Sequence, residues 1–240
     1  MGFCFWSITT LWLKFIFLPD NEKRLKDSYR HKGLRRQLIK SLREQGVRDE
    51  QILSAMELIP RHFFLEKAFE EWAYQDKAFA IDCDQTISQP YTVAFQTALL
   101  ELKPKEKVME IGTGSGYQSS VLAELGARVY SIERHEQLYE KAKKLLPLIG
   151  YPSVRLFFRD GYKGLAEFAP FDKILVTAGA EEVPQRLLNQ LKIGGLMVIP
   201  VGTRKVQKML KIKRISEKKF EKIAMGNFKF VPFKTGVNKI

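Results

Sequence analysis

From position 28 onward the apolar positions follow two patterns in turn: a helical period first, then short apolar runs alternating with helical stretches. Between Ser28 and Gln45, Leu34, Leu38, Ile39 and Leu42 share one helix face among basic neighbours, and Gly46 follows where a left-handed cap is favoured. A second helix is predicted from Asp49 to Leu58, stopped by Pro60. The pair reads as a helical cap ahead of a sheet. An aromatic-rich, irregular stretch follows to Asp82, and then a helix from Tyr91 to Leu102 that buries Val93, Leu99, Leu100 and Leu102.

Beyond it the pattern changes. Val108, Met109 and Ile111 form an apolar run that ends in glycines, a helical stretch runs from Tyr117 to Leu125, and a second apolar run covers Val129 to Ile132. Further strands are predicted at Val154–Phe158, Asp172–Val176 and Leu196–Val201, with a helix at Pro184–Gln190. Late strands are expected at Val206–Ile215 and Phe228–Val231, separated by the basic turn Ser216–Lys219. Such alternation predicts an α/β fold: a doubly wound, mostly parallel sheet with helices on both faces, ligands at the carboxyl ends of the strands, and an antiparallel C-terminal edge. No repeat or low-complexity linker interrupts residues 28–240, which read as one domain.

Residues 1–27 stand apart as an apolar N-terminal extension. It lacks a basic leading region, Lys14 breaks the apolar run, and no small-residue cleavage pattern follows Leu18, so stable membrane insertion is not expected. Amphipathic sequence begins only afterwards, which leads to the expectation that translation starts at Leu25, from a UUG codon. Cys4 and Cys83 offer neither a disulfide framework nor a C-x-x-C metal spacing, consistent with a reducing, cytoplasmic setting. A net charge of +13 raises the question of a polyanionic partner, but the basic residues are dispersed as on a solvated surface, and no specific nucleic acid is expected.

The chemistry concentrates in Glu110-Ile-Gly112-Thr-Gly114-Ser-Gly116. Glycines admit positive φ and close backbone approach, so the turn and the following helix start can meet a ligand. Tyr117 stands where a dinucleotide fingerprint has its last glycine, which weakens a pyrophosphate reading. Glu133 ends the next strand, about twenty residues on, where a carboxylate can accept from both hydroxyls of a ribose. The alternative is a turn that only packs helix on strand. Ser88 and Pro90 have the positions of an N-cap and a first helical turn, or else present a hydroxyl to the cleft. His62 is either a general base or, beside Phe63 and Phe64, a packed ring.

The blocks IPRHFF, AYQDKAFAID, QTISQPYTVA, VMEIGTGSGYQSSVLAEL, RDGYKGL, APFDKILVTAGA, VPQRLLNQLKIGGLMVIPVG and FKFVPF, in this order, resemble the protein-L-isoaspartate O-methyltransferase family from about Tyr29 to Val231. The resemblance implies a seven-stranded Rossmann-like sheet, S-adenosylmethionine as methyl donor, no metal, and a monomer acting on isoaspartyl peptides and proteins. It implies cofactor contacts from Thr86, Ser88, Glu110, Gly112, Gly114, Gly116, Glu133, Arg134, Asp160 and Gly161. Substrate contacts are implied for Thr86, Ile87, Ser88 and Tyr91, with Ser88 the catalytic residue. One departure is notable: family members commonly carry glycine in the turn before T-I-S, where this chain has Asp82, Cys83 and Asp84. Two extra acids there would repel a carboxylate unless they point away. For Asp160-Gly161 the plain alternative is a turn after a strand.

A nucleic-acid methyltransferase is the rival expectation. Yet Val176-Thr-Ala-Gly-Ala180 follows the fourth strand where an amino-methylating enzyme carries an N/D-P-P-Y/F clamp, and no catalytic cysteine follows a proline. Mass spectrometry of the native protein is expected to give a mass starting at position 25; a mass that includes residues 1–24 removes the late-start expectation.

Overall fold

The structure, a computed structural model, describes residues 25–239. The expectations about residues 1–24 lie outside the described residues. Ser28 caps helix α1 (Tyr29–Glu44) reciprocally: its hydroxyl accepts from the His31 amide at 3.3 Å while its own amide donates to His31 Nδ1 at 3.4 Å. Asp49 caps α2 (Glu50–Leu58) by accepting from the Gln51 and Ile52 amides. Leu42, Leu53 and Met56 of these helices join Phe64, Tyr117, Val121 and Leu146 in one buried cluster, which seats the cap on the helix layer covering one face of the sheet.

Next come two features that the hydrophobic pattern did not predict. Residues 79–87, where no strand was expected, form a small antiparallel hairpin of β1 (Phe79–Ile81) and β2 (Gln85–Ile87). Three-residue strands are too short to show a period. Helix α3 (Pro90–Leu99) has Gln89, not Ser88, at its N-cap, with no side-chain cap on that residue. Asp76 serves the helix start from a distance, accepting from the Tyr91 amide at 2.8 Å and from Gln89 Nε2 at 3.0 Å. The capping account of Ser88 is thereby corrected. The helix also ends before the expected Leu102, since Glu101 adopts φ +48.

The large sheet comprises β3 (Lys107–Ile111), β4 (Arg128–Glu133), β5 (Arg155–Phe158), β6 (Phe171–Val176), β7 (Leu191–Gly202), β8 (Gln207–Arg214) and β9 (Phe220–Phe228), in the spatial order β5-β4-β3-β6-β7-β8-β9. The first five in that order run parallel, and β8 and β9 add antiparallel. Alternate residues of each central strand face opposite layers. Val108, Val129, Leu175 and Val198 pack toward α3 and α4 (Tyr117–Glu124), while Met109, Ile111, Ile174 and Met197 pack with Leu187 and Leu188 of α6 (Gln185–Gln190). Helix α5 (Glu136–Leu148), absent from the expected elements, buries only the narrow stripe Leu138, Ala142 and Leu146.

The last strand is also corrected: it spans Phe220–Phe228, not Phe228–Val231. Residues 220–227 are largely exposed on an edge strand and carry no alternation to read, and a register shift between Lys208 and Leu210 marks an irregularity opposite them. Residues 229–238 instead cross the carboxyl ends of the parallel strands. The Gly179 amide donates to the Val231 carbonyl at 2.8 Å, the Phe233 amide donates to the Gly179 carbonyl at 2.8 Å, and the Asn238 amide donates to the Arg134 carbonyl at 2.7 Å.

Phe171 is fully buried, edge-on to Tyr130 at 5.7 Å between ring centroids. Phe171→Ala is expected to cost about 3–5 kcal/mol, measured as a lowered urea midpoint with an unchanged m-value.

Candidate functional site

The chain runs β3, β4, β5 outward in one direction and returns to start β6 on the other side of β3, so a crevice opens where β3 and β6 end together. Gly112 follows β3 with φ +98, and a Cβ there would overlap the Thr177 hydroxyl. That hydroxyl lies 2.8 Å from the Gly112 carbonyl and 2.9 Å from the Ile111 carbonyl, tying the two strand ends together. Gly114 (φ +53) and Gly116 (φ +89) complete the turn, and Gly116 forms the N-cap of α4. Only residues without a Cβ adopt all three angles at low cost.

Glu133 is 4% exposed at the end of β4. Its Oε1 accepts from the Arg134 and His135 amides at 2.8 and 2.9 Å, and its Oε2 from the Gly114 amide at 2.8 Å. Three of roughly four lone-pair positions are thus filled by backbone. The carboxylate clamps the glycine turn to the next strand and keeps about one acceptor direction for a ligand hydroxyl. Burial pushes this carboxyl up, against the opposing pull of those amides.

Glu110 lies beneath the turn, fully buried, and not in the cavity wall. Its Oε2 accepts from Ser131 Oγ at 2.7 Å and from the Ser119 hydroxyl, Thr113 Oγ1 meets Ser131 Oγ at 2.6 Å, and Oε1 has no partner. Burial raises Glu110 to about 7, more than the two hydroxyls offset.

A narrow cavity of about 60 Å³ opens above. Gly112, Gly114, Glu133, Arg134 and Gly161 line it, walled by Ile111, Ile132 and Phe233. Gly161 has no room for a Cβ, which would meet Ile111 at 2.5 Å and the Phe233 ring at 3.1 Å. Asp160 faces a neighbouring depression with Lys163, and its Oδ1 caps the turn by accepting from the Tyr162 amide at 2.9 Å. Arg134 turns away to the carbonyls of Gly236 and Thr235.

A second, more open cavity adjoins the first. Ser88, Gln89, Tyr91 and Phe95 line one side, and Lys205, Asn227, Phe228 and Lys229 contribute elsewhere; among the described residues no carboxylate lines it. Thr86, Thr177 and Val231 line both cavities and form the neck between them. Ile87 alternates away and is 3% exposed in the core beneath the cap. Asp82 also points elsewhere, accepting from Gln137 at 3.0 Å and pairing with Lys141 of α5, while Cys83 and Asp84 hold the turn at φ +60 and +55. Neither acid lines this second cavity.

His62 is a packed ring, 3.8 Å from the His31 ring between centroids, with Nδ1 2.7 Å from the Tyr74 hydroxyl. Burial, and then His31, lower it to about 4. Asp27, His31 and His62 lie close enough to suggest metal ligation, but Arg35 takes both Asp27 oxygens and each imidazole nitrogen has a partner. Sequence reasoning missed Val231–Phe233 and Thr177 as cavity walls. The FKFVPF block was the available signal for the former.

A family model described as protein-L-isoaspartate(D-aspartate) O-methyltransferase matches residues 33–238. The chain is 59% identical over 208 residues to a protein-L-isoaspartate O-methyltransferase of Christiangramia forsetii, covering 87% of this chain and 97% of that one. It is 58% identical to the enzyme of the same name from Cytophaga hutchinsonii, with 87% and 94% covered. Among solved structures, a protein-L-isoaspartate O-methyltransferase superposes with a TM-score of 0.77 at 30% identity, over 85% of this chain and 67% of that one. A putative enzyme of this kind from Plasmodium falciparum, in complex with S-adenosyl-L-homocysteine, shares the fold with a TM-score of 0.72 at 24% identity, over 85% and 98%.

Glu110 supplies a pH test. The unfolded chain releases this proton near pH 4.5 and the folded chain near 7, so its contribution to stability is complete below 4.5 and falls as pH rises toward 7. Glu110→Gln is expected to gain on the order of 2 kcal/mol relative to wild type between pH 5 and pH 8, read from urea unfolding. Parallel stability curves would show that Glu110 titrates normally.

Proposed function

The chain belongs to the protein-L-isoaspartate(D-aspartate) O-methyltransferase family, and we propose that its two joined cavities divide the reaction between donor and acceptor. It is an S-adenosylmethionine-dependent protein carboxyl methyltransferase that initiates repair of isoaspartyl residues, and family membership decides against the nucleic-acid alternative. The observation that supports the division is the neck at Thr86, Thr177 and Val231, the one place where the glycine-turn cavity and the Ser88 cavity share walls.

The chemistry of the glycine-turn lining suits the donor. Its Cβ-free floor at Gly112 and Gly114 admits close backbone contact, and the remaining acceptor direction of Glu133 suits a ribose hydroxyl. Gly161, Ile132 and Phe233 offer apolar walls for a base, with Asp160 behind Gly161 shaping the turn. Glu110, Gly116 and Arg134 act by holding the turn and the C-terminal segment in place. When bound, S-adenosylmethionine supplies a methyl group on a positively charged sulfur, which leaves as a neutral thioether.

The acceptor enters beside Ser88 and Tyr91. An α-carboxylate has a reference pKa near 3.5 and is already ionised at neutral pH, so it attacks the methyl carbon without a general base. The Ser88 hydroxyl therefore orients the carboxylate, and the neck brings the reactants into line while excluding water. The resulting ester is more readily attacked by the adjacent backbone nitrogen than the anion was, which opens the route through a succinimide to normal aspartate. We take the enzyme to act as a cytoplasmic monomer on damaged polypeptides. Among the described residues no helix is long and apolar enough to cross a membrane.

Labelled methyl is expected to enter an isoaspartyl peptide and neither its aspartyl twin nor RNA; incorporation into RNA alone would overturn the assignment. Ser88→Ala is expected to lower kcat roughly ten- to a hundredfold, the loss of one hydrogen bond to a charged group, while S-adenosylhomocysteine affinity persists. Complete loss in a folded protein would give Ser88 a direct chemical role.

A further inference from the structure

Arg61 is fully buried, yet no carboxylate is among its hydrogen-bond partners. Its Nε donates to the Ala73 carbonyl at 3.0 Å, and its Nη2 to the Ser88 carbonyl at 2.9 Å and the Lys77 carbonyl at 3.4 Å. The guanidinium lies 4.9 Å from the centre of the Tyr117 ring, and Nη1 has no partner. A buried cation whose hydrogen-bond partners are all carbonyls, with Asp76 a nearby counter-charge that it does not hydrogen-bond, is an expensive way to fill a core, and an apolar side chain of similar volume would do so at less cost. Burial lowers Arg61 only to about 10, so it remains charged at neutral pH.

The loop above it is gripped on both sides. Arg61 holds the Ser88 carbonyl, and Asp76 holds the Gln89 side chain and the Tyr91 amide. In a trans peptide the N–H points opposite to the C=O. With the Ser88 carbonyl turned into the core toward Arg61, the Gln89 N–H of the same peptide is turned the other way, and Ser88 and Gln89 both line the acceptor cavity.

We propose that Arg61 is a positioning residue for methyl transfer: it orients and polarises the Ser88–Gln89 peptide so that the Gln89 N–H, beside the Ser88 hydroxyl, donates to the substrate carboxylate. The proposal rests on the reading of that cavity as the acceptor side. It predicts a defect confined to the peptide substrate, whereas loss of packing alone lowers stability and donor affinity together.

The test uses the full chain and an isoaspartyl hexapeptide, with S-adenosylhomocysteine affinity measured by calorimetry. Arg61→Met is expected to lower kcat/KM for the peptide roughly tenfold or more with nucleoside affinity within twofold of wild type, and Arg61→Lys to recover part of the loss. Gln89 has φ −52, an angle proline accepts, so Gln89→Pro deletes the N–H itself, while Gln89→Ala keeps it and controls for the lost bond to Asp76. Gln89→Pro is expected to fall roughly tenfold below Gln89→Ala in peptide kcat/KM. Equal activity of these two variants, or a folded Arg61→Met within twofold of wild type, overturns the proposal. Should Arg61→Met fail to fold, the Gln89 pair decides alone. Failure of the wild type to methylate the hexapeptide would instead overturn the functional reading.

Discussion

A parallel sheet that winds one way from β3 and then resumes on its other side has no crossover to cover the ends where the two directions part. That gap between β3 and β6 is the constraint to which the neighbouring structure responds. Thr177 bridges it by donating to the backbone of the glycine turn, and Glu133 braces the turn from β4 with three backbone amides. The floor is therefore assembled by contacts the protein makes with itself, and a ligand meets a shape already held.

The same economy appears below the floor. Glu110, Ser119, Ser131 and Thr113 form a polar cluster in a layer otherwise made of Val108, Val129 and Leu175. An ionised carboxylate there would face a large desolvation cost, and its elevated pKa keeps a neutral form accessible. Polar groups in this position connect the turn, the start of α4 and β4 in one directional network, which an apolar core would not do.

How much of this was legible in the sequence follows from how local each signal is. The glycine turn, the apolar runs of β3, β4, β6 and β7, and the left-handed Gly46 after the first helix announce themselves within a few residues, and the structure has them. The roles of Asp76, Arg61, Thr177 and Val231–Phe233 depend on contacts across many residues, which no period records. Helix α5 was overlooked although Leu138, Ala142, Leu145, Leu146 and Ile149 recur at helical spacing, so that omission was not for want of a local signal. The last strand was misplaced because an exposed edge needs no alternation, while the apolar Phe228–Val231 that suggested a strand owes its character to the cavity it walls. The T-I-S-x-P block was legible only through resemblance. Its local propensities argued for a cap, and the structure gives that task to Asp76.

The exposed edge has a consequence for the company this enzyme keeps. Damaged polypeptides are often loosened, with backbone groups free to pair, and a bare strand on a repair enzyme would invite them to stack against it. β9 meets that hazard with Glu221 and Lys222 near its start, glycine at position 226 and a pairing irregularity toward its end. The rim is therefore a poorer template for strand addition than a regular, unbroken edge would be.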